Sequence, residues 1–130
     1  MNICIIIPAY NEEDYIANTL ESLVNQTYPI KEIVIVNDNS TDNTRGVIDS
    51  FSEKHSFIKS ITTKSEAIHL PGSKVINAFY KGFEFIDKEY DLICKIDADL
   101  IFPLNYFESI IAIFKKNPSC GIAGGFCYIK

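Results

Sequence analysis

The sequence has no tryptophan, one methionine and a single arginine, Arg45, and its excess of acidic residues leaves a net charge of −5. Nucleic-acid binding rests on clustered Lys and Arg facing phosphates, so this balance argues against a nucleic-acid partner. No apolar run approaches the roughly 18–20 residues needed to cross a bilayer, so no membrane span is expected. Residues 1–7 are apolar but lack a basic leader and a small-residue cleavage site, and they read as a strand. The glycines form no G-x-G-x-x-G turn and no Walker-type lysine loop, which removes the usual glycine-rich nucleotide-binding patterns. Cys4, Cys94, Cys120 and Cys127 include no C-x-x-C pair and sit in apolar segments. Free buried thiols in a reducing compartment are favoured over disulfides or a metal site, which makes a cytoplasmic location the expectation.

What is present is enough for one folded unit. The 130 residues are 47% hydrophobic and 22% charged, which supports a buried core and argues against disorder. Strand and helix signals alternate with short punctuated links, the pattern of an α/β chain with a mostly parallel sheet and helices on both faces. Residues 3–7 are a near-continuous apolar run, as in a strand buried on both sides, with Pro8 expected to end it. Asn11 reads as the N-cap of a helix, with Glu12, Glu13 and Asp14 in its first turn. Ile16, Leu20, Leu23 and Val24 then recur at helical spacing. Residues 32–36 form a second strand, and the polar run from Asn37 to Asp42 leads into a helix through Val47, Ile48 and Phe51, with Ser40 or Thr41 as its cap. A weaker strand is expected at 57–61 and a loop at 62–73. A helix over about 74–87, a strand at 91–96, a helix opened by Pro103 and a fifth strand at 120–128 complete the series.

The polar clusters follow strands one, two and four, all at their C-terminal ends. In open parallel sheets that edge binds ligands, near the point where strand order reverses. An order 3-2-1-4, with one later strand, would bring the clusters together beside strand one.

Three clusters carry the chemistry. In Asp97-Ala98-Asp99 the two acids stand two residues apart, so in extended backbone both project to one side and can face one divalent cation, or a cation and a ribose hydroxyl. Hard cations such as Mg²⁺ or Mn²⁺ commonly take one or two protein carboxylates and complete their shell with diphosphate oxygens. An isolated D-x-D is common in surface turns; its position after an apolar strand is what lends it weight. Pro8-Ala9-Tyr10-Asn11-Glu12 sets an aromatic ring beside a helix start, where Tyr10 can stack on a base or pack on the protein. Asp38, after strand two, can accept a hydrogen bond from a base imide or a ribose hydroxyl. Lys74 offers positive charge to a diphosphate, although a solvated lysine is the plainer reading. His55 and His69 have no partner pattern.

Together, Ile5-Ile6-Ile7-Pro8-Ala9-Tyr10-Asn11-Glu12, Ile33-Val34-Ile35-Val36-Asn37-Asp38-Asn39-Ser40-Thr41-Asp42 and Asp97-Ala98-Asp99 closely resemble family 2 of the glycosyltransferases, with the GT-A fold. The resemblance spans essentially the whole chain with its motifs in register. It implies an inverting sugar transfer from a nucleotide-diphosphate sugar, usually a UDP-sugar, to a carbohydrate or lipid-linked acceptor, with Mn²⁺ or Mg²⁺ as cofactor. Pro8, Ala9 and Tyr10 would line the base pocket, Glu12 would lie beside the ribose and Asp38 would bond the base. Asp97, with Ala98 between the acids, would approach the ribose or metal, and Asp99 would coordinate the metal. Lys74 and Asn77 fall where the family often has a basic residue and an asparagine, but the glycine usual just after that asparagine is absent. Lys95 departs from the apolar residue common at its position. A location at the inner face of the membrane would suit a lipid-linked acceptor.

An inverting transferase also needs a general base for the acceptor hydroxyl. After Asp99 the sole carboxylate is Glu108, on a helix face expected to be solvated, so the base is expected beyond Lys130. The chain then reads as a single donor-binding domain, 1–130, truncated before the acceptor-binding half; the alternative is a module that binds nucleotide-sugar without transferring it. A phospho-receiver is the competing class of acidic α/β domain. It would place acids after strand one and a phosphorylated Asp after strand three, where this chain has Pro8-Ala9-Tyr10 and Thr62-Thr63-Lys64. A nucleotidyltransferase would begin with a glycine-rich basic loop, also missing.

Overall fold

The computed structural model describes residues 1–64 and 73–117, with Ser119 and Gly121. Among these described residues four strands and four helices alternate: β1 (Ile3–Ala9), α1 (Ile16–Val24), β2 (Glu32–Asp38), α2 (Thr44–Lys54), β3 (Ile58–Thr63), α3 (Ser73–Phe85), β4 (Leu92–Lys95) and α4 (Tyr106–Lys116). The strands form one sheet of order β3-β2-β1-β4, and all three pairings are parallel. This is the α/β arrangement that the alternation of signals implied. The expected fifth strand at 120–128 lies outside the described residues.

Residue alternation along the two central strands sorts the core. Ile3, Ile5, Ile7, Ile33 and Ile35 pack with Ile16, Leu20 and Leu23 of α1, Ile48 of α2 and Phe107 and Ile111 of α4. Cys4, Ile6, Val34 and Val36 turn to the other face, against Ala78, Phe79 and Phe83 of α3 and Ile86. Helices thus cover both faces of β1 and β2, which explains their continuous apolar character. Each fully buried Ile or Leu contributes roughly 1.5–3 kcal/mol by leaving water. Gly82 sets how closely α3 can lie on the sheet: a Cβ there would stand 2.6 Å from Ile6 Cγ2 and 3.0 Å from Val36 Cγ2. Burial pushes the Cys94 thiol up to about 11 and also raises that of Cys4, so both stay protonated and inert.

Several expectations are corrected at element ends. Pro8 does not end β1; it lies within it, paired with Val36. The Ile6 carbonyl accepts from Ile96 N–H, so Pro8, two residues on, turns toward the same side, past the end of β4. Its missing N–H therefore costs no ladder bond. Asn11 caps no helix: α1 begins five residues later, and its first turn holds no acid. Ser40 and Thr41 do not cap α2, whose flanking residue is Asn43. α4 starts at Tyr106 rather than at Pro103, and its Phe107 N–H is received by Gln26 Oε1, 3.1 Å away on the segment after α1. Among the described residues no helix is long and apolar enough to cross a membrane.

Candidate functional site

Because the sheet is parallel, β1, β2 and β4 all end on one edge, and β1 lies between strands reached in opposite directions from it. At this edge a cavity of about 370 Å³ is lined by Pro8, Ala9, Tyr10, Glu12, Asp38, Ala78, Asp97, Ala98 and Asp99. Small-molecule pockets run from roughly 300 to 1,000 Å³, so the space suits a compact ligand rather than a polymer. Of the residues singled out for donor binding, Pro8, Ala9, Tyr10, Glu12, Asp38, Asp97, Ala98 and Asp99 all line it. Lys74 lies in α3, but its side chain falls outside what the structure describes. Asn77 is exposed and is not part of the lining. Ala78, one turn beyond Lys74, was not foreseen: an alanine carries no chemical signal, and only its place on α3 makes it part of the wall.

Each wall is held from behind. Asp38 ends β2, is 7% exposed, and its Oδ1 accepts from Thr63 Oγ1 at 3.4 Å. Tyr10 is 55% exposed, so its ring is presented to the opening instead of being packed into the core. The loops after β1 and β2 are bonded to each other. Asn11 N–H donates to Ser40 Oγ at 3.1 Å, Thr41 N–H to Asn11 Oδ1 at 2.8 Å and Glu12 N–H to Thr44 Oγ1 at 2.8 Å. Glu13 Oε2 accepts from Asn43 N–H at 2.9 Å, and Asp42 Oδ2 from Glu13 N–H at 3.3 Å. Asn11 and Asn39 both adopt left-handed backbone, with φ of 50° and 54°. Asparagine tolerates that region better than most side chains. The residues read as helix caps are thus cross-loop ties.

The third wall follows β4. Asp97 and Asp99 are exposed while Ala98 between them is buried, so alternation turns both carboxylates to the open side. Lys95 Nζ reaches Asp97 Oδ1 at 3.3 Å. Burial raises the carboxyl of Glu12 above its ordinary range, and Asp99, Asp42 and Asp97 push it further the same way. The cavity is therefore a field of negative charge that a divalent cation would relieve. Among the described residues no three His, Cys, Asp or Glu side chains are grouped to hold a metal alone. The donor set fits a hard cation that takes oxygen ligands from the protein and the rest from a bound diphosphate. Glu108 lies in the first turn of α4, exposed, and accepts from Thr27 Oγ1 at 2.9 Å; it does not line the cavity.

The model of the family described as Glycosyl transferase family 2 matches residues 4–130. The chain belongs to that family. It is 40% identical over 99 residues to a probable glycosyltransferase, YdaM, of Bacillus subtilis, covering 75% of this chain and 22% of that protein. It is 34% identical over 123 residues to the poly-beta-1,6-N-acetyl-D-glucosamine synthase of Staphylococcus epidermidis, covering 95% of this chain and 28% of the synthase. Among solved structures, that of S. aureus TarS 1–349 in complex with UDP superimposes with a TM-score of 0.74 at 25% identity, over 91% of this chain and 33% of that one. The family 2 assignment and the parallel sheet agree with the GT-A fold. The chain spans between 22% and 33% of the length of these relatives.

Proposed function

We propose that this chain is the donor-binding part of a family 2 glycosyltransferase that takes its sugar from a nucleoside-diphosphate sugar of the UDP type. The observation that carries the reading is the meeting of three separate segments, at the C-terminal ends of β1 and β2 and just after β4, in one cavity of nucleotide size. The UDP complex of TarS, a structural relative, supports uridine as the base.

In this reading Tyr10 stacks on the base, Pro8 and Ala9 supply its floor, and Asp38, fixed by Thr63, accepts its imide N–H. Glu12 lies beside the ribose. Asp99, with Asp97, would hold Mn²⁺ or Mg²⁺ beside the diphosphate, and the ion would supply charge neutralisation for the departing nucleotide. Lys95 balances Asp97 before a cation arrives. Glu108 does not line the cavity, and in this reading another group takes the acceptor's proton, with transfer to a carbohydrate or lipid-linked hydroxyl and inversion at the sugar carbon. Poly-beta-1,6-N-acetyl-D-glucosamine synthase as a relative supports a polysaccharide product. The free thiols of Cys4 and Cys94 suit the cytoplasm, at the inner membrane face if the acceptor is lipid-linked.

Calorimetry with UDP, in Mn²⁺ and in EDTA, tests the reading. Wild type should bind UDP in Mn²⁺, and Asp99→Ala should bind it about tenfold or more weakly. Equal, metal-independent binding by both overturns the metal role. No binding of UDP by wild type overturns the donor site itself.

A further inference from the structure

We infer that Thr19 is the positioning residue for the Asp97-Ala98-Asp99 turn, acting through the Ala98 carbonyl; the inference rests on the donor-site reading above. Ile16, Thr19, Leu20 and Leu23 form the buried face of α1. Thr19 is the polar member of this apolar stripe, and it is 0% exposed. An apolar residue would satisfy the helix pattern and the packing, so the hydroxyl calls for a partner. It has one across the core: Thr19 Oγ1 donates to the Ala98 carbonyl oxygen at 2.9 Å, in a buried bond linking residues 79 apart in the chain. The Tyr15 carbonyl, one turn back, is a second acceptor at 3.4 Å. A hydroxyl carries one proton, and the shorter, buried contact takes it.

The consequence for the acids is geometric. Ile96 N–H is fixed to the Ile6 carbonyl, and the Pro103 and Leu104 carbonyls are held by Gln26 Nε2 and Thr27 N–H. Between those anchors, among the described residues, the Thr19 bond is the one tie from another element to the backbone. It draws the Ala98 carbonyl inward at the centre of the turn, and Asp97 and Asp99 stay on the open side. Without it the buried carbonyl has no partner. The turn then rotates toward water, since an unpaired buried acceptor is costly, and the two carboxylates lose their shared aim.

Thr19→Val keeps shape and removes the donor, while Thr19→Ser keeps the donor. Two readouts separate positioning from general support of the fold. The first is the gain in UDP affinity from Mn²⁺ over EDTA, set against uridine affinity in the same variant, so that a smaller folded fraction cancels. The gain should fall about tenfold in Thr19→Val and persist in Thr19→Ser. The second needs no ligand: amide exchange at Asp99 and Leu100 in the metal-free chain should accelerate in Thr19→Val and not in Thr19→Ser. Thr19→Ala takes the place of Thr19→Val if the latter does not fold. A Mn²⁺ gain that survives loss of the hydroxyl, or uridine and UDP–Mn²⁺ affinities that fall in parallel, overturns the role of Thr19. A wild-type chain that shows no Mn²⁺-dependent UDP binding overturns the donor site instead, and with it this role.

Discussion

Asn11 holds Thr41 from two sides, its Oδ1 accepting the Thr41 N–H at 2.8 Å and its Nδ2 donating to Thr41 Oγ1 at 3.3 Å. The two residues belong to different loops, and each loop supplies cavity lining next to the tie: Tyr10 and Glu12 flank Asn11, and Asp38 precedes the second loop. The spacing of the proposed base pocket is therefore held by a contact between residues outside the cavity lining.

Replacing Asn11 separates backbone strain from bonding. Asn11→Ala loses the ties and places a Cβ-bearing residue with no compensating side chain at a φ of 50°. About 1–2 kcal/mol of left-handed strain then adds to exposed hydrogen bonds contributing about 1 kcal/mol. Asn11→Gly loses only the latter. Urea unfolding should rank wild type above Asn11→Gly above Asn11→Ala; equal stability of Gly and Ala would show that the left-handed backbone does not persist.

Gly82→Ala tests the fit of α3 to the sheet. Alanine raises helix propensity by about 1 kcal/mol over glycine. The added carbon would nevertheless meet Ile6 Cγ2 at 2.6 Å, and that methyl is branched at Cβ and locked in the core. Overpacking of about 1–3 kcal/mol should outweigh the gain. A lowered thermal midpoint is expected; a raised one would mean that α3 has room to move.

Glu12 should leave a signature in stability against pH. Burial first, then Asp99, Asp42 and Asp97, hold its folded value above the ordinary 4.5. Between 4.5 and that raised value the folded chain binds more protons than the unfolded one. Stability from this group is thus full below 4.5 and is lost as pH rises through the folded value. Denaturant unfolding of Glu12→Gln across this range should show a flatter profile and a more stable protein at neutral pH. A profile that keeps the wild-type slope would assign it to another acid.

Much of the fold was legible because β1 and β2 are covered on both faces. Ile3 to Ile7 and Ile33 to Val36 must then be apolar at every position, a pattern that survives without knowledge of contacts. The shorter strand β4 carries a weaker version of it. The lining of the candidate site was legible for a related reason: Asp38, Asp97 and Asp99 directly follow or end such runs, and parallel strands bring their ends to one edge. The parts that were misread depend on partners distant in sequence. Asn11, Ser40 and Thr41 have the composition of helix caps, and the same oxygen and N–H groups serve equally for ties between loops. Gln26 caps α4 from across the fold, and Thr19 sits on an apolar stripe where its hydroxyl gives no hint of Ala98. Ala78 contributes by being small, which no motif records.

Lys95 is the basic residue paired with Asp97, and its effect should be modest. The Lys95–Asp97 pair, at 3.3 Å, is 42% and 63% exposed, in the range where ion pairs contribute about 0–1 kcal/mol. Lys95→Met removes a competitor for Asp97, so Mn²⁺ titrated into the UDP-saturated chain at low salt should bind up to about fivefold more tightly, with the difference shrinking as salt rises. Weaker binding in Lys95→Met would instead make Lys95 a partner of the diphosphate.

The most direct test of the central claim is an anomalous difference map from crystals of this chain grown with UDP and Mn²⁺. The account predicts a manganese peak at the Asp99 carboxylate bridging to the diphosphate, with the uracil between Tyr10 and Asp38. A nucleotide bound away from the Pro8–Tyr10 and Asp38 walls, or manganese found elsewhere than at Asp97 and Asp99, would contradict it.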